Sequence, residues 1–149
     1  MRYGERFWEW QPLLSFGIFR FGIPLRNYKR LRPIYLEEES TIYDSEEDCE
    51  LNEFAFTLPN HWKTLRVYTD YRKIITSVSS KNFIFSGNNL IGLKAEQICD
   101  ILERKYDRRD YVEIPEENWY IYFFYDLGLS LWEEDGIITS ITASQAYED

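Results

Sequence analysis

Short runs in which apolar and polar residues alternate recur along the chain and predict β-strands. In the runs 65–68 and 129–132, an apolar side chain stands at every second position. Each run is followed by a charged turn and a second alternating run, which is the pattern of a β-hairpin. The second turn contains Asp135-Gly136, a dipeptide that tolerates the positive φ angles of tight turns. The first turn lacks glycine, so we expect it to be longer.

The two predicted hairpins share a repeated heptapeptide. Ile-Ile-Thr-Ser-Val-Ser-Ser at 74–80 returns as Ile-Ile-Thr-Ser-Ile-Thr-Ala at 137–143. A repeat of this kind indicates either the duplication of a larger unit or two similar hairpins in one sheet. Since only seven positions are involved, we favour the second interpretation.

Further strands are predicted elsewhere in the chain. The stretch 16–24 places Phe19 and Phe21 on one side of a strand and Arg20 on the other. The stretch 119–125 is apolar on both sides and should be an interior strand, because an exposed edge of this composition would aggregate. Shorter strands are expected at 34–36, at 83–85, and around Leu51, Phe54 and Phe56 with a bulge between 51 and 54.

One helix is predicted, over about 94–106. Ile98, Ile101, Leu102 and Tyr106 recur at helical spacing and form a single apolar stripe. The charged stretch 37–48 is expected to be a solvated loop or a hairpin connection, and the charged stretch 106–117 is expected to be a loop.

Six to eight strands and one principal helix predict an α+β fold in a single domain, 1–149, with a mainly antiparallel, curled sheet. One helix cannot cover both faces of a long sheet. We therefore expect either that the sheet curls around the helix or that the N-terminal aromatic segment covers the second face.

Composition excludes several classes of protein. Hydrophobic residues make up 44% of the 149 positions, enough for a core without metal or disulfide support. No stretch approaches the ~18 uninterrupted apolar residues that a membrane span needs. The first ten residues lack the apolar run of a secretory signal, so we expect a cytoplasmic protein.

Charge is distributed in four blocks whose signs alternate. Residues 1–33 carry seven bases and two acids, and 34–60 carry nine acids and no base. Residues 61–109 carry ten bases and five acids, whereas 110–149 carry ten acids and no base. The net charge of −9 disfavours nucleic-acid binding and favours a basic protein partner. The blocks either cancel across the fold or join the two acidic blocks in one negative face.

Few residues suit catalysis or metal binding. Cys49 and Cys99 are expected to be reduced and buried, and His61 is the single histidine, so neither a metal site nor a cofactor is expected. The basic cluster around Tyr28, formed by Arg26, Lys29, Arg30 and Arg32, fits a solvated loop better than an RNA site.

Adjacent carboxylates suggest a hydrolase only weakly. The pairs Glu116-Glu117 and Glu133-Glu134 could flank a sugar cleft lined with aromatic residues. They fall in predicted turns, however, where water keeps both groups ionised. We therefore expect no enzymatic activity.

Two segments resemble a known class of proteins. Asn89-Leu90-Ile91-Gly92-Leu93, before the predicted helix, and 128–137, in the last hairpin, resemble cytoplasmic immunity proteins of bacterial polymorphic-toxin and contact-dependent growth-inhibition systems. The likeness spans about 65–142. It implies a protein that neutralises one cognate toxin by stoichiometric binding, and it assigns no catalytic residue to this chain.

A toxin that attacks nucleic acid is basic where it grips phosphate, so an acidic protein can occupy that surface. We expect a basic toxin as the partner, with no nucleic acid and no membrane. The candidate partner-binding residues are the carboxylates of the two acidic blocks: Glu37, Glu38, Glu39, Asp44, Glu46, Glu47, Asp48, Asp126, Glu133, Glu134 and Asp135.

Three alternatives remain open on the residues alone. The chain could be an acidic nucleic-acid mimic from a mobile element, which would bind several basic nucleases in a salt-sensitive way. It could be a carbohydrate-directed hydrolase with an aromatic cleft, or a subunit that self-associates.

Overall fold

An eight-stranded antiparallel sheet forms the body of the protein, in the order β10-β11-β12-β13-β7-β6-β5-β4. The computed structural model describes residues 5–28, 35–44, 49–57 and 64–145. The strands of the main sheet are β4 (Tyr35–Asp44), β5 (Cys49–Thr57), β6 (Leu65–Thr69), β7 (Ile75–Ser80), β10 (Arg108–Val112), β11 (Trp119–Phe124), β12 (Leu129–Glu134) and β13 (Ile137–Ser144).

Smaller elements precede each half of this sheet. The short strands are β1 (Trp10–Gln11), β2 (Ser15–Phe16), β3 (Phe19–Arg20), β8 (Ile84–Phe85) and β9 (Asn88–Asn89). Within these described ranges the one α-helix is α1 (Ala95–Leu102), and 3₁₀ turns lie at Glu5–Trp8, Leu25–Tyr28 and Tyr125–Leu127. The predicted α+β class, with a curled antiparallel sheet and one principal helix, is confirmed.

Most of the buried side chains of the sheet lie on one side, which we call the core face. The N-terminal segment, the β8–β9 hairpin and α1 all pack there, in one cluster with the buried residues of β6, β7 and β11–β13. Phe16 and Phe83, both fully buried, stack with ring centroids 4.9 Å apart. Burial of each phenylalanine is worth about 1.5–3 kcal/mol. The N-terminal segment and the helix thus share a face, and the segment does not cover the second one.

We call the opposite side of the sheet the open face. Its side chains on β11 and β12 include Trp119, Ile121, Phe123 and Trp132, all half-buried and none of them part of the core cluster. Strand alternation explains the division, since Tyr122 and Phe124 of the same strand β11 are buried on the core face.

The helix is shorter than predicted. Its first turn is held by Gln97, whose Oε1 accepts a hydrogen bond of 2.9 Å from the Lys94 N–H. It ends where Glu103 adopts a left-handed conformation with φ 57°. Arg104 then donates its N–H to the Cys99 carbonyl, which closes the last turn. Tyr106 lies outside the helix, but its side chain still packs against the core.

Two predicted loops contain strands. Residues 37–44 belong to the ten-residue strand β4, and the charged stretch 106–117 contains β10. Both are edge strands, where side chains can stay in water and charged sequences are compatible with pairing. The bulge predicted in 51–54 lies instead on the neighbouring strand β4, between Leu36 and Glu38.

The stretch 16–24 is not one strand. The chain turns at Gly17 and Ile18, so that Phe16 pairs with Phe19 across a two-strand hairpin. The predicted alternation holds after the turn, because Phe19 and Phe21 are buried and Arg20 is exposed. The stretch 119–125 is confirmed as an interior strand, β11, between β10 and β12.

The sheet consists of two four-stranded meanders joined by their last strands. β4-β5-β6-β7 and β10-β11-β12-β13 each run in chain order, and β7 pairs with β13 in antiparallel orientation. Both predicted hairpins, β6–β7 and β12–β13, are present. Outwards from the β7–β13 pair, the last, third, second and first strands of a meander therefore follow one another on both sides.

The pairing register makes the two central hairpins, β6–β7 and β12–β13, equivalent residue by residue. At the join, Ser79 pairs with Thr142, while Ser80 pairs with Ile141 and Val78 pairs with Ala143. In the two heptapeptides, positions 78, 79 and 80 correspond to positions 141, 142 and 143. Exchanging corresponding positions turns the pair 80–141 into the pair 143–78 and leaves the pair 79–142 unchanged. A pseudo-twofold axis therefore passes between Ser79 and Thr142. Each hairpin also carries a bulge at the threonine of its heptapeptide, Thr76 in one and Thr139 in the other.

The equivalence extends to the segments that enter the sheet. Gly22 donates its N–H to the Ile75 carbonyl, and Ile75 donates back to the carbonyl of residue 23. Gly92 and Ile138 form the same pair of hydrogen bonds, with residue 93 accepting in return. A helical turn follows each segment, 3₁₀ in the first half and α1 in the second. The interpretation as two merely similar hairpins is thus too narrow, and we infer an internal duplication.

No helix in the described ranges has both the length and the apolar character needed to cross a lipid bilayer.

We expect the substitution Gly128→Ala to destabilise the fold by about 2 kcal/mol or more. Gly128 has φ 59°, and a Cβ at this position would overlap the Ser144 carbonyl oxygen. Gly87→Ala is the matched control, since Gly87 has φ 81° but open space around it, and should cost about 1 kcal/mol. Urea denaturation of both variants measures the difference. Equal losses would contradict the proposed steric conflict.

Candidate functional site

Two connections come together at one end of the sheet. β10 and β11 are joined by residues 113–118, and β12 and β13 by the turn at Asp135 and Gly136. Trp119 pairs with Glu134 across the strands, and the Asp135 N–H donates to the Asn118 carbonyl at 3.1 Å. The two connections are therefore in direct contact.

We call this region the acidic end. Its carboxylates are Glu113, Glu116, Glu117, Glu134 and Asp135. The ion pairs observed among described residues are Arg72–Asp70, Arg104–Asp126 and Arg108–Asp110, and they involve none of these five side chains. The acidic end therefore presents negative charge that no described residue neutralises.

The predicted partner-binding residues in the second acidic block do not form one surface. Glu134 and Asp135 lie at the acidic end, but Asp126 lies beyond the other end of β12, 3.3 Å from Arg104. Glu133 is buried, with 7% exposure, on the core face. Neighbours in the sequence are thus separated because alternate residues of a strand point to opposite faces.

The first acidic block is distant from the acidic end. Residues 37–39 lie in edge strand β4, and Asp44 pairs with Cys49 at the end of the sheet opposite to Asp135. The side chains of these residues, and all of Glu46, Glu47 and Asp48, lie outside the described part of the chain. The described backbone does not bring the two acidic hairpins together.

Glu133 takes part in a buried polar pair. The Tyr122 hydroxyl donates to the Glu133 carboxylate at 3.1 Å, and both residues are buried. Burial, and then the neighbouring Glu133 carboxylate, raise the pKa of Tyr122 to about 12. Arg109 opposes this shift, and its guanidinium carbon lies 3.8 Å from the Tyr120 ring centroid and 5.5 Å from that of Tyr122. Tyr122 therefore stays protonated and satisfies the buried carboxylate.

The first half of the sheet has no counterpart of the Tyr122–Glu133 hydrogen bond. The register makes Phe56 equivalent to Tyr122, because they pair with Val67 and Leu131 respectively. In the same way Thr69, which is fully buried, is equivalent to Glu133. The fold itself is thus compatible with an apolar residue and a threonine at these positions.

A groove lies on the open face next to the acidic end. It has a volume of about 420 Å³ and is lined by Ser79, Lys81, Ile121, Phe123, Ser130, Trp132, Glu134, Ser140 and Thr142. Trp132 packs edge-on against Trp119, with ring centroids 5.6 Å apart. An aromatic floor with hydroxyl groups and two opposite charges suits a polar ligand group carried on an apolar stem.

Beside the groove, Arg108 and Asp110 form an ion pair of 2.7 Å. This hydrogen bond to Asp110 raises the pKa of the Arg108 guanidinium. The two charges thus neutralise each other. The charges left for a ligand in the groove are those of Glu134 and Lys81.

The arrangement offers little for nucleophilic or carboxylate-pair chemistry. Glu133 and Glu134 point to opposite faces, so this pair cannot flank one scissile bond. Cys99 is half-buried, and burial raises the pKa of its thiol. No group of three or more His, Cys, Asp or Glu residues within the described ranges is placed to hold a metal ion.

Two of the predicted partner-binding residues, Glu134 and Asp135, lie at the acidic end, but the groove beside them was not predicted. Its aromatic and hydroxyl residues were predicted as parts of strands, without assigning which face would remain open. The signal was present, since Trp119, Ile121 and Phe123 alternate with Tyr120, Tyr122 and Phe124. The missing information was which of the two sets α1 would cover.

Comparison with protein-family models, with curated proteins and with solved structures found no match. The resemblance to immunity proteins therefore stays a prediction.

We expect Tyr122→Phe to destabilise the protein by about 1–3 kcal/mol at neutral pH, because it leaves the buried Glu133 carboxylate without its donor. The double variant Tyr122→Phe/Glu133→Thr copies the Phe56–Thr69 combination and should recover at least half of this loss. Tyr71→Phe serves as the control, since Tyr71 is 56% exposed and its loss of a hydroxyl should change stability little. A double variant less stable than the single one in urea denaturation would contradict the equivalence of the two halves.

Stability should also fall as the pH rises from about 10 through about 12. The pKa of Tyr122 is raised from its ordinary value of 10.0 to about 12, so the unfolded chain loses this proton first. The stabilisation is complete below about pH 10 and is lost above the folded-state value. Tyr122→Phe should lack this component when denaturation midpoints are compared between pH 9 and pH 12. Parallel pH profiles for the two proteins would show that Tyr122 titrates normally.

Proposed function

We propose that this protein is a non-enzymatic immunity protein that binds and neutralises one basic toxin domain, in the cytoplasm of the cell that makes both. The observation that carries the proposal is the acidic end, where five carboxylates lie beside a half-buried aromatic surface without a cationic partner among the described residues.

Charge and anchors have separate roles in such an interface. Unpaired carboxylates accelerate encounter with a cationic surface, and they also raise the penalty for wrong partners of like charge. Trp119 and Trp132 lie directly beside Glu134 and supply aromatic area of the kind that dominates binding energy. The acidic end and the neighbouring open face together have the composition of a binding surface for a basic protein.

The proposal also explains why the charge remains unpaired. Like charges that lie close together destabilise the free protein, and lysine or arginine substitutions nearby could relieve this repulsion. Residues 110–149 nevertheless contain ten acids and no base. A cationic partner would relieve the same repulsion when it binds.

The decisive test is co-expression with the product of the adjacent upstream gene. We expect a stoichiometric complex that co-purifies and cells that survive expression of that product only when this protein is present. A neighbour that is not toxic, or is toxic but does not bind, would reject the proposal. Equal, salt-sensitive binding to several unrelated basic nucleases would indicate a nucleic-acid mimic instead.

Neutralisation of the acidic end should slow association with the toxin. We expect Glu113→Gln/Glu116→Gln/Asp135→Asn to lower the association rate constant about tenfold at low ionic strength, with a smaller effect in high salt. The control is Glu96→Gln/Asp100→Asn/Glu103→Gln, which removes the same charge from exposed positions of and just after α1. Stopped-flow measurements of both variants decide the matter. If both triple variants lowered the association rate constant equally, the net charge of the protein and not the position of the acidic end would control association.

A further inference from the structure

The groove on the open face contains a carboxylate whose equivalent in the first half is paired with an arginine. Asp70 and Glu134 occupy equivalent positions, because Asp70 bonds to residue 74 and Glu134 pairs with residue 137. Positions 74 and 137 are the first residues of the two heptapeptides. The duplication therefore places one carboxylate at the same point of each hairpin.

In the first half the carboxylate is satisfied within the chain. Arg72 approaches Asp70 Oδ2 through both Nε, at 3.2 Å, and Nη2, at 3.0 Å. The backbone N–H groups of Arg72 and Ile74 donate to Asp70 Oδ1 at 2.9 Å and 3.1 Å. A guanidinium thus holds this carboxylate, with the turn backbone completing its hydrogen bonds.

In the second half the arginine is missing. Thr139 donates a hydrogen bond to Glu134 Oε2, and the shorter turn places Asp135 and Gly136 where the first half has a longer, basic turn. Among the described residues that line the groove, Lys81 is the one cation, and it forms no ion pair with another of them. Glu134 is therefore a carboxylate without the guanidinium that its equivalent has.

The surroundings of Glu134 suit an incoming arginine. Trp132 and Trp119 offer indole rings, on which a guanidinium stacks well, and its alkyl stem can lie along Ile121 and Phe123. Elsewhere the protein itself uses this contact, since the Arg109 guanidinium lies 3.8 Å from the Tyr120 ring centroid. Lysine lacks the planar group that can both stack and pair with a carboxylate.

The charges around the groove select for one cation. The acidic end attracts a positive group to the Glu134 side, whereas Lys81, which follows β7 two strands away from β12, repels a second one. A single arginine fits this arrangement better than a polybasic segment. We propose that the groove accepts one arginine side chain of the protein partner, with its guanidinium stacked on Trp132 and paired with Glu134.

The identity of the partner rests on the proposed function, but affinity of the groove for arginine can be measured without that partner. The probe is the peptide acetyl-Gly-Ser-Arg-Gly-Ser-amide, together with its lysine and citrulline counterparts. Binding is followed through the indole N–H signals of the five tryptophans in NMR spectra. Trp119→Phe and Trp132→Phe assign the two signals of interest.

We expect the arginine peptide to shift the signals of Trp119 and Trp132, with millimolar affinity, and the citrulline peptide to bind about tenfold more weakly. Glu134→Gln should weaken binding about tenfold, although its amide oxygen can still accept the Thr139 hydrogen bond. Glu96→Gln, the matched loss of one exposed carboxylate on α1, should leave the affinity within about twofold.

Three results would overturn the proposal: no shift of the Trp132 signal at about 20 mM peptide, equal binding of the citrulline peptide, or an equal effect of Glu96→Gln. The outcomes are independent of the toxin test. A groove that binds the arginine peptide in a protein that ignores its neighbour's product would reject the immunity function alone. A toxin bound with full affinity by Glu134→Gln would reject the arginine subsite alone.

Discussion

The antiparallel pairing of β7 with β13 is the interaction on which the rest of the structure depends. It joins two meanders, and each of the two strands also receives the segment that precedes its meander, through the paired hydrogen bonds of Ile75 and Ile138. A one-residue slip of β13 against β7 would turn Ile141 out of the core and bring Thr142 into it. The register thus fixes which face is buried and which remains open.

The duplicated frame separates what the fold requires from what the second half has acquired. Both halves keep the threonine bulge and the buried aliphatic positions, so these serve the sheet. The halves differ where Thr69 corresponds to Glu133, Tyr68 to Trp132 and Asp70 to Glu134. A buried carboxylate, a large indole and an unpaired surface carboxylate are each costly or unnecessary for folding. All three residues belong to β12, in the second half of the sheet.

Local patterns predicted the elements that obey local rules. The two hairpins and the position of the helix follow from periodicity, and the apolar stretch containing β11 could only be an interior strand. Of the edge strands, only the start of β4 was predicted, at 34–36, and β10 was missed, because an edge tolerates charged side chains that a pattern-based interpretation assigns to loops. The duplication was hidden because insertions of different length move the equivalent segments by different offsets, from 63 between the heptapeptides to 70 between Gly22 and Gly92.

The sequence likewise predicted only part of the candidate site. A cluster of carboxylates indicates where charge accumulates along the chain, but only the strand alternation shows that Glu133 and Glu134 face opposite ways. Glu133 accepts a hydrogen bond from Tyr122 in the core, and Glu134 faces a groove beside two indole rings. The strand β12 therefore contributes one carboxylate to the core face and one to the open face, although the two residues are neighbours in the sequence.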